Sequence, residues 1–184
     1  MSRLTIFNEY NPQNPVQVLS NAQEITNALK GEGVLFEQWE ASAVISGQST
    51  QEEILAAYAA QVEKLKAEGG YQVADVINLT PDNPNKTELR KKFLDEHIHS
   101  EDEVRFFVKG DGLFYLHLGD KVYAVQCEQG DLISVPANSN HWFDMGENPD
   151  FTCIRIFTNP EGWVAQYTGN KIADLFPKYE ALAQ

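Results

Sequence analysis

Asp95-Glu96-His97-Ile98-His99-Ser100-Glu101-Asp102-Glu103-Val104-Arg105-Phe106-Phe107-Val108-Lys109-Gly110 carries two histidines one residue apart, a glutamate four residues further on, and an apolar run closed by glycine. Side chains of an extended chain alternate between faces, so His97 and His99 point one way and Ile98 the other. Past the acidic turn, Glu103, Arg105 and Phe107 share one face of the next strand, and Val104, Phe106 and Val108 share the opposite one. Two neutral imidazoles and one carboxylate can then converge on a single point, a donor set suited to a first-row divalent metal. The chain has four histidines, and two of them lie here.

A fourth donor comes from Gly130-Asp131-Leu132-Ile133-Ser134-Val135-Pro136-Ala137-Asn138-Ser139-Asn140-His141-Trp142-Phe143, which reads as strand, turn, strand with Gly130 ending a hairpin. His141 emerges at the start of the second strand. The paired pattern His-x-His-x3-Glu-x6-Gly and Gly-x5-Pro-x4-His resembles the two signature motifs of the cupin superfamily. Asn138 stands where glycine often follows the proline, and asparagine tolerates the left-handed backbone such a turn requires.

Working outward, residues 4–8 read as a short edge strand. Ser20 with Gln23 caps a helix that carries Ile25 and Leu29 and stops at Gly31. Residues 34–39 read as a strand. Thr50 with Glu53 forms a second capping box, ahead of one helix with Ile54, Leu55, Tyr58, Val62 and Leu65 on its apolar face, ended by Gly69-Gly70. A strand over 72–79 and a short helix over 86–93 lead into the histidine motif. From residue 97 the chain turns to short strands, at 97–100, 104–109, 113–118, 121–126, 132–135, 141–144 and 152–158. Lys109-Gly110-Asp111-Gly112 and Leu118-Gly119-Asp120-Lys121 read as hairpin turns. The expected fold is mainly β: a cupin double-stranded β-helix, a jelly-roll-like barrel with a few peripheral helices. One domain over 1–184 is expected, its metal-binding barrel at about 72–165 and its N-terminal helices and strands packed outside or extending the sheets.

A net charge of −13 argues against nucleic acid or an anionic membrane as partner. No apolar run is long enough to span a membrane, and no basic-then-apolar signal segment opens the chain. Cys127 and Cys153 lack CxxC spacing and lie in apolar strand-like runs, which points to buried reduced thiols and a cytoplasmic location. With no coiled coil or exposed apolar helix in the pattern, a monomer is expected.

Three histidines and a glutamate fill four positions of an octahedron and leave two open, unlike a closed structural zinc site. Iron(II), nickel(II), manganese(II), cobalt(II) and zinc(II) all suit such donors; calcium and magnesium want mostly oxygen. Two open positions suit a bidentate oxygen ligand such as an enediolate, electron-rich enough to react with dioxygen. Arg105, two residues past Glu103, faces the same interior and can stabilise a substrate oxyanion. Arg155 is a second strand arginine among apolar neighbours. His117, outside both motifs, reads as a hydrogen-bonded structural histidine.

Phe93-Leu94-Asp95-Glu96-His97-Ile98-His99, Glu101-Asp102-Glu103-Val104-Arg105, Gly110-Asp111-Gly112, Pro136-Ala137, His141-Trp142-Phe143-Asp144-Met145-Gly146 and Pro160-Glu161-Gly162-Trp163 together resemble the acireductone dioxygenase family of methionine salvage. The resemblance implies one iron(II) or nickel(II) per chain, bound by His97, His99, Glu103 and His141. It implies that 1,2-dihydroxy-5-(methylthio)pent-1-en-3-one and dioxygen are the substrates. The iron form would give 4-methylthio-2-oxobutanoate and formate; the nickel form would give 3-methylthiopropanoate, formate and carbon monoxide. By the same resemblance Arg105 helps generate the substrate dianion, Glu96 is linked to metal incorporation, and Asp102 to transmitting conformational change. Read from the residues alone, Glu96 and Asp102 belong to a solvated acidic turn. Phe93, Phe143, Arg155 and Trp163 are candidates for the substrate pocket. Other readings of the same ligands are a cupin dioxygenase for another enolic substrate, a sugar isomerase, or a metal-dependent small-molecule-binding module.

Overall fold

The structure, a computed structural model, describes residues 1–183. The chain opens with β1 (Arg3–Asn8), β2 (Gln17–Leu19), α1 (Ala22–Gly31) and β3 (Leu35–Gln38). It continues through α2 (Gln51–Ala57), α3 (Ala59–Gly69), β4 (Val73–Leu79) and α4 (Lys86–Leu94). A run of strands follows: β5 (His97–Ile98), β6 (Glu103–Lys109), β7 (Asp111–Leu118), β8 (Lys121–Glu128), β9 (Asp131–Val135), β10 (Asn140–Asp144) and β11 (Phe151–Phe157). β12 (Gln166–Tyr167), a 3-10 turn at Ile172–Leu175 and α5 (Tyr179–Leu182) complete it. The strands form two antiparallel sheets, seven in the order β12-β5-β10-β7-β8-β1-β2 and five in the order β3-β9-β6-β11-β4. This is the mainly β, double-sheet architecture that strand alternation and turn spacing predict. Among the described residues, no helix is long and apolar enough to cross a membrane.

Alternation sorts the apolar residues into three layers. Between the sheets lie Leu4, Phe107, Phe114, Val125, Ile133, Phe143 and Phe151, with Ile25 and Leu29 of α1 closing one side. The outer face of the five-stranded sheet presents Val104, Phe106 and Val108, and Ile54, Tyr58, Val62 and Leu65 of α2 and α3 cover it. Burying each large apolar side chain contributes about 1.5–3 kcal/mol, so this stripe holds the helices to the sheet. The outer face of the seven-stranded sheet carries Phe7, Tyr115 and Trp142 under Ile172, Ala173 and Phe176.

Several local expectations change. β1 is not an edge strand: it lies between β2 and β8, paired with β8 along its whole length. The α1 cap is Asn21, not Ser20; its side chain accepts from the amides of Gln23 and Glu24. The Thr50–Glu53 capping box forms as read, but the helix it starts breaks at Tyr58 (φ −116°, ψ 24°) into α2 and α3. The Tyr58 ring is buried edge-on against Phe106 at 5.4 Å, and its hydroxyl accepts from the Ala43 amide, so that side chain fixes where the break falls.

The turn at 109–112 is not a hairpin either. β6 pairs with β9 and β11, whereas β7 pairs with β8 and β10, so this turn carries the chain from one sheet to the other. The turn at Gly130, between β8 and β9, does the same. A glycine turn signal tells that the chain reverses, not which sheet it enters next. Gly110 has φ 66°, and a Cβ there would lie 2.0 Å from the Asp150 carbonyl oxygen, so glycine is required. The turn at 118–121 is the β7–β8 hairpin expected. Asn138 adopts the left-handed backbone read from its motif position, at φ 61°.

Candidate metal centre

β5 and β10 meet at the rung His97–His141, which places two histidines side by side on the barrel interior. His99 follows β5 and is fixed by the second motif, since the Asn138 amide donates to the His99 carbonyl at 2.8 Å. Asp102 ties the two motifs again by accepting from the Ala137 amide at 2.8 Å. A nitrogen of each of His97, His99 and His141 lies within 4.8 Å of the other two, so this cluster could bind one metal ion. From the start of β6, Glu103 brings Oε2 to 3.4 Å from His99 Nε2 and 3.3 Å from His141 Nε2. All four side chains are buried.

Hydrogen bonding fixes how the imidazoles face the centre. Nδ1 of His97 donates to the Asp95 carbonyl at 2.7 Å, that of His99 to the Val164 carbonyl at 3.2 Å, and that of His141 to the Ser139 carbonyl at 2.8 Å. A carbonyl only accepts, so each Nδ1 holds a proton, and each ring in its neutral form presents Nε2 to the centre as a lone pair. Burial, reinforced by His141 nearby, pushes His97 down to about 4, and burial also lowers His99. Burial alone would raise Glu103, but the Arg105 guanidinium holds it well below the usual carboxylate range. Neutral imidazoles at His97 and His99 beside an ionised carboxylate are the protonation states a cation needs.

The fit to a metal has a direct sign. Glu103 Oε2 and His141 Nε2 are buried and make no hydrogen bond. An orphaned buried polar atom is costly, and two at one point are resolved together by a cation. The thiols stay apart from this chemistry: Cys127 and Cys153 are buried and unbridged, and burial pushes Cys153 up to about 12.

Arg105 donates from Nε to Glu103 Oε1 at 2.7 Å, while its Nη1 is buried without a partner. The guanidinium lies 4.9 Å above Phe114 and 5.0 Å above Phe143, which lets it be buried at lower cost. Arg155 sits opposite Arg105 on β11 but is committed elsewhere, bidentate to Asp75 at 2.8 and 2.6 Å. A cavity of about 650 Å³ is lined by His97, His99, Arg105, Arg155, Phe93 and Trp163, among others. Phe143, read as a pocket residue, is instead core: its ring packs against Phe93, Phe107, Phe114 and Phe151 behind Arg105.

Of the acidic turn, Asp102 is exposed as read from the residues, but Glu96 is not: it is 1% exposed. Glu96 Oε2 accepts from His117 Nδ1 at 2.8 Å and Oε1 from Thr168 Oγ1 at 2.7 Å. Glu101 holds Thr158, and Asn159 at 2.8 Å. His117 is a hydrogen-bonded histidine outside the cluster, as expected, with Nε2 at 2.9 Å from Glu9 Oε2. Thr168, Val164 and Glu9 escaped the sequence reading because their partners are distant in the chain and no local spacing marks them.

Comparison with known proteins agrees with this geometry. The ARD/ARD′ family model matches residues 3–165. Acireductone dioxygenase of Pseudomonas paraeruginosa is 57% identical over 180 residues, covering 98% of this chain and 99% of the relative. That of Marinobacter nauticus is 56% identical over 183 residues, covering 100% and 98%. Among solved structures, acireductone dioxygenase from Bacillus anthracis with a cadmium ion in its active center superposes with a TM-score of 0.81 at 36% identity, covering 91% of this chain and 98% of that one. A cupin barrel whose three buried histidines could bind one metal ion, matched over nearly its full length, makes this chain a member of the ARD/ARD′ family of acireductone dioxygenases.

Proposed function

We propose that His97, His99, His141 and Glu103 bind one iron(II) or nickel(II), and that the protein uses it to cleave 1,2-dihydroxy-5-(methylthio)pent-1-en-3-one with dioxygen. The carrying observation is that two orphaned buried atoms, Glu103 Oε2 and His141 Nε2, face one point beside an unpartnered Arg105 Nη1. The cadmium ion in the active center of the Bacillus anthracis relative supports a metal site in this chain as well. The bound ion would act as a Lewis acid, favouring the deprotonated enediol and bringing it together with dioxygen.

The rest is done by the chain's own groups. Arg105 offers Nη1 to a substrate oxyanion, and its Nε bond to Glu103 keeps the guanidinium from swinging away. Because Asp75 neutralises Arg155, the positive charge available to a dianion is concentrated at Arg105. Phe93 and Trp163 give the cavity an apolar wall for the methylthio tail, while Glu96 and Asp102 hold the loops that carry the histidines. With iron the expected products are formate and 4-methylthio-2-oxobutanoate; with nickel they are formate, carbon monoxide and 3-methylthiopropanoate. The role is in methionine salvage, in the cytoplasm, by a monomer; the unbridged buried thiols fit a reducing compartment.

The test is anaerobic reconstitution of metal-free protein with either ion, then addition of the enediol and oxygen with product analysis. Carbon monoxide from the nickel form only, and the keto acid from the iron form only, is the expected result. No oxygen uptake by protein that binds either ion one to one would overturn the reading.

A further inference from the structure

His117 lies outside both motifs, yet each of its ring nitrogens is engaged by a carboxylate, Glu96 Oε2 at 2.8 Å and Glu9 Oε2 at 2.9 Å. Its place in the sheet gives this arrangement a consequence. β5, which carries His97, has only two residues and joins β10 at the rung His97–His141. So short a strand has little of its own to fix its position. Glu96, the residue before it, reaches past β10 to His117 on β7, whose ladder partner is Asn140, next to His141. The other oxygen of Glu96 holds Thr168, whose amide also donates to the Glu96 carbonyl at 3.1 Å. Thr168 follows Tyr167, whose ring lies 5.9 Å edge-on to His97. At the far end, the Glu9 amide donates to the Asp120 carbonyl in the β7–β8 turn, which anchors the Glu9 side. The result is a side-chain strut across the seven-stranded sheet, with its inner end on the backbone that aims His97.

We propose that His117 is a positioning residue of the metal centre: through Glu96 it fixes β5 and so sets the direction of His97 toward the ion. The proposal rests on the metal site described above, and its readout is metal affinity rather than turnover. It therefore stands or falls independently of which substrate is cleaved. Partners that orient a ligating histidine typically matter by roughly 10–100-fold in metal affinity.

The experiment is competition titration of metal-free wild type, His117→Phe and His117→Gln with nickel(II), together with the visible spectrum of each cobalt(II) form. His117→Phe keeps the ring volume without donors and is expected to bind one nickel with affinity lowered by roughly 10–100-fold and with a shifted cobalt spectrum. His117→Gln retains an amide donor for Glu96 and is expected to recover part of that loss. Phe176→Leu, which loosens the same outer layer while leaving every hydrogen bond of the strut in place, is expected to lower Tm with nickel affinity unchanged. If His117→Phe does not fold, Glu9→Ala, which removes the outer end alone, is expected to lose affinity in the same direction. Unchanged nickel affinity and cobalt spectrum in the His117 and Glu9 variants would overturn the proposal. Equal weakening in Phe176→Leu would overturn it too, as would loss of metal stoichiometry at saturation in His117→Phe.

Discussion

Arg105 and Glu103, two residues apart on β6, face the same interior and are joined by a 2.7 Å hydrogen bond from Nε to Oε1. That bond uses one oxygen of the carboxylate and leaves Oε2 for the histidine cluster. It also uses one donor of the guanidinium and leaves Nη1 for a ligand. Arg105→Ala is expected to retain one metal per chain and to lose roughly 10²–10³ in kcat, as measured by stopped-flow oxygen consumption. Metal-free Arg105→Ala should also unfold more easily, by about 3–5 kcal/mol, because Glu103 is left buried and unpaired. Wild-type turnover in this variant would make Arg105 structural only.

Glu103→Ala and His141→Ala each remove one of the two orphaned atoms. Metal content after reconstitution and desalting is expected to fall strongly in both. In the metal-free state Glu103→Ala should be penalised further by the loss of the Arg105 partner. Full one-to-one metal in either variant would contradict the ligand assignment.

The strut gives a pH dependence with a definite sign. Hydrogen bonds donated to the Glu96 and Glu9 carboxylates raise His117 against the opposing effect of burial. A raised folded-state value means stability fully present below the ordinary histidine pKa of about 6.5 and lost as pH rises through the folded value. Burial works to raise Glu96, but His117 and Thr168 outweigh it and lower it overall. That contribution is present above the ordinary carboxylate range and is lost as pH falls through the folded value. Metal-free wild type should therefore be most stable, relative to His117→Gln, between these limits. Parallel Tm curves for the two proteins across pH 4–9, an interval of roughly 5 units spanning both groups, would contradict this.

Gly110→Ala tests the crossover between the sheets. At φ 66° the left-handed backbone costs an alanine about 1–2 kcal/mol, and its Cβ would overlap the Asp150 carbonyl. Urea unfolding should show a loss larger than that figure. A neutral substitution would mean the 109–112 turn is free to rearrange.

What could be read in the sequence follows the range of each signal. His97, His99, Glu103, Arg105 and His141 were legible because strand alternation and motif spacing are local, and the barrel follows from many such strands in succession. The partner of Arg155 was not legible, because Asp75 meets it only through pairing of β4 with β11. Glu96 looked solvated beside Asp95, which is exposed and bonds Lys171; its burial comes from His117 and Thr168, both far along the chain. Phe143 shares the alternation of a pocket residue, but packing of Phe93 and Phe151 against it places it in the core. The 109–112 turn shows the same limit, since sheet membership is set by partners rather than by the turn.

The most direct test of the account is X-ray absorption of the nickel(II)-reconstituted protein, which reads the donor set itself. One nickel per chain with three imidazoles and oxygen donors at about 2.0–2.2 Å, the range seen for histidine nitrogen and carboxylate oxygen at a comparable ion, is the expected result. Sulfur in the first coordination sphere, or fewer than three imidazoles, would contradict the proposed ligation of a single ion by His97, His99, His141 and Glu103.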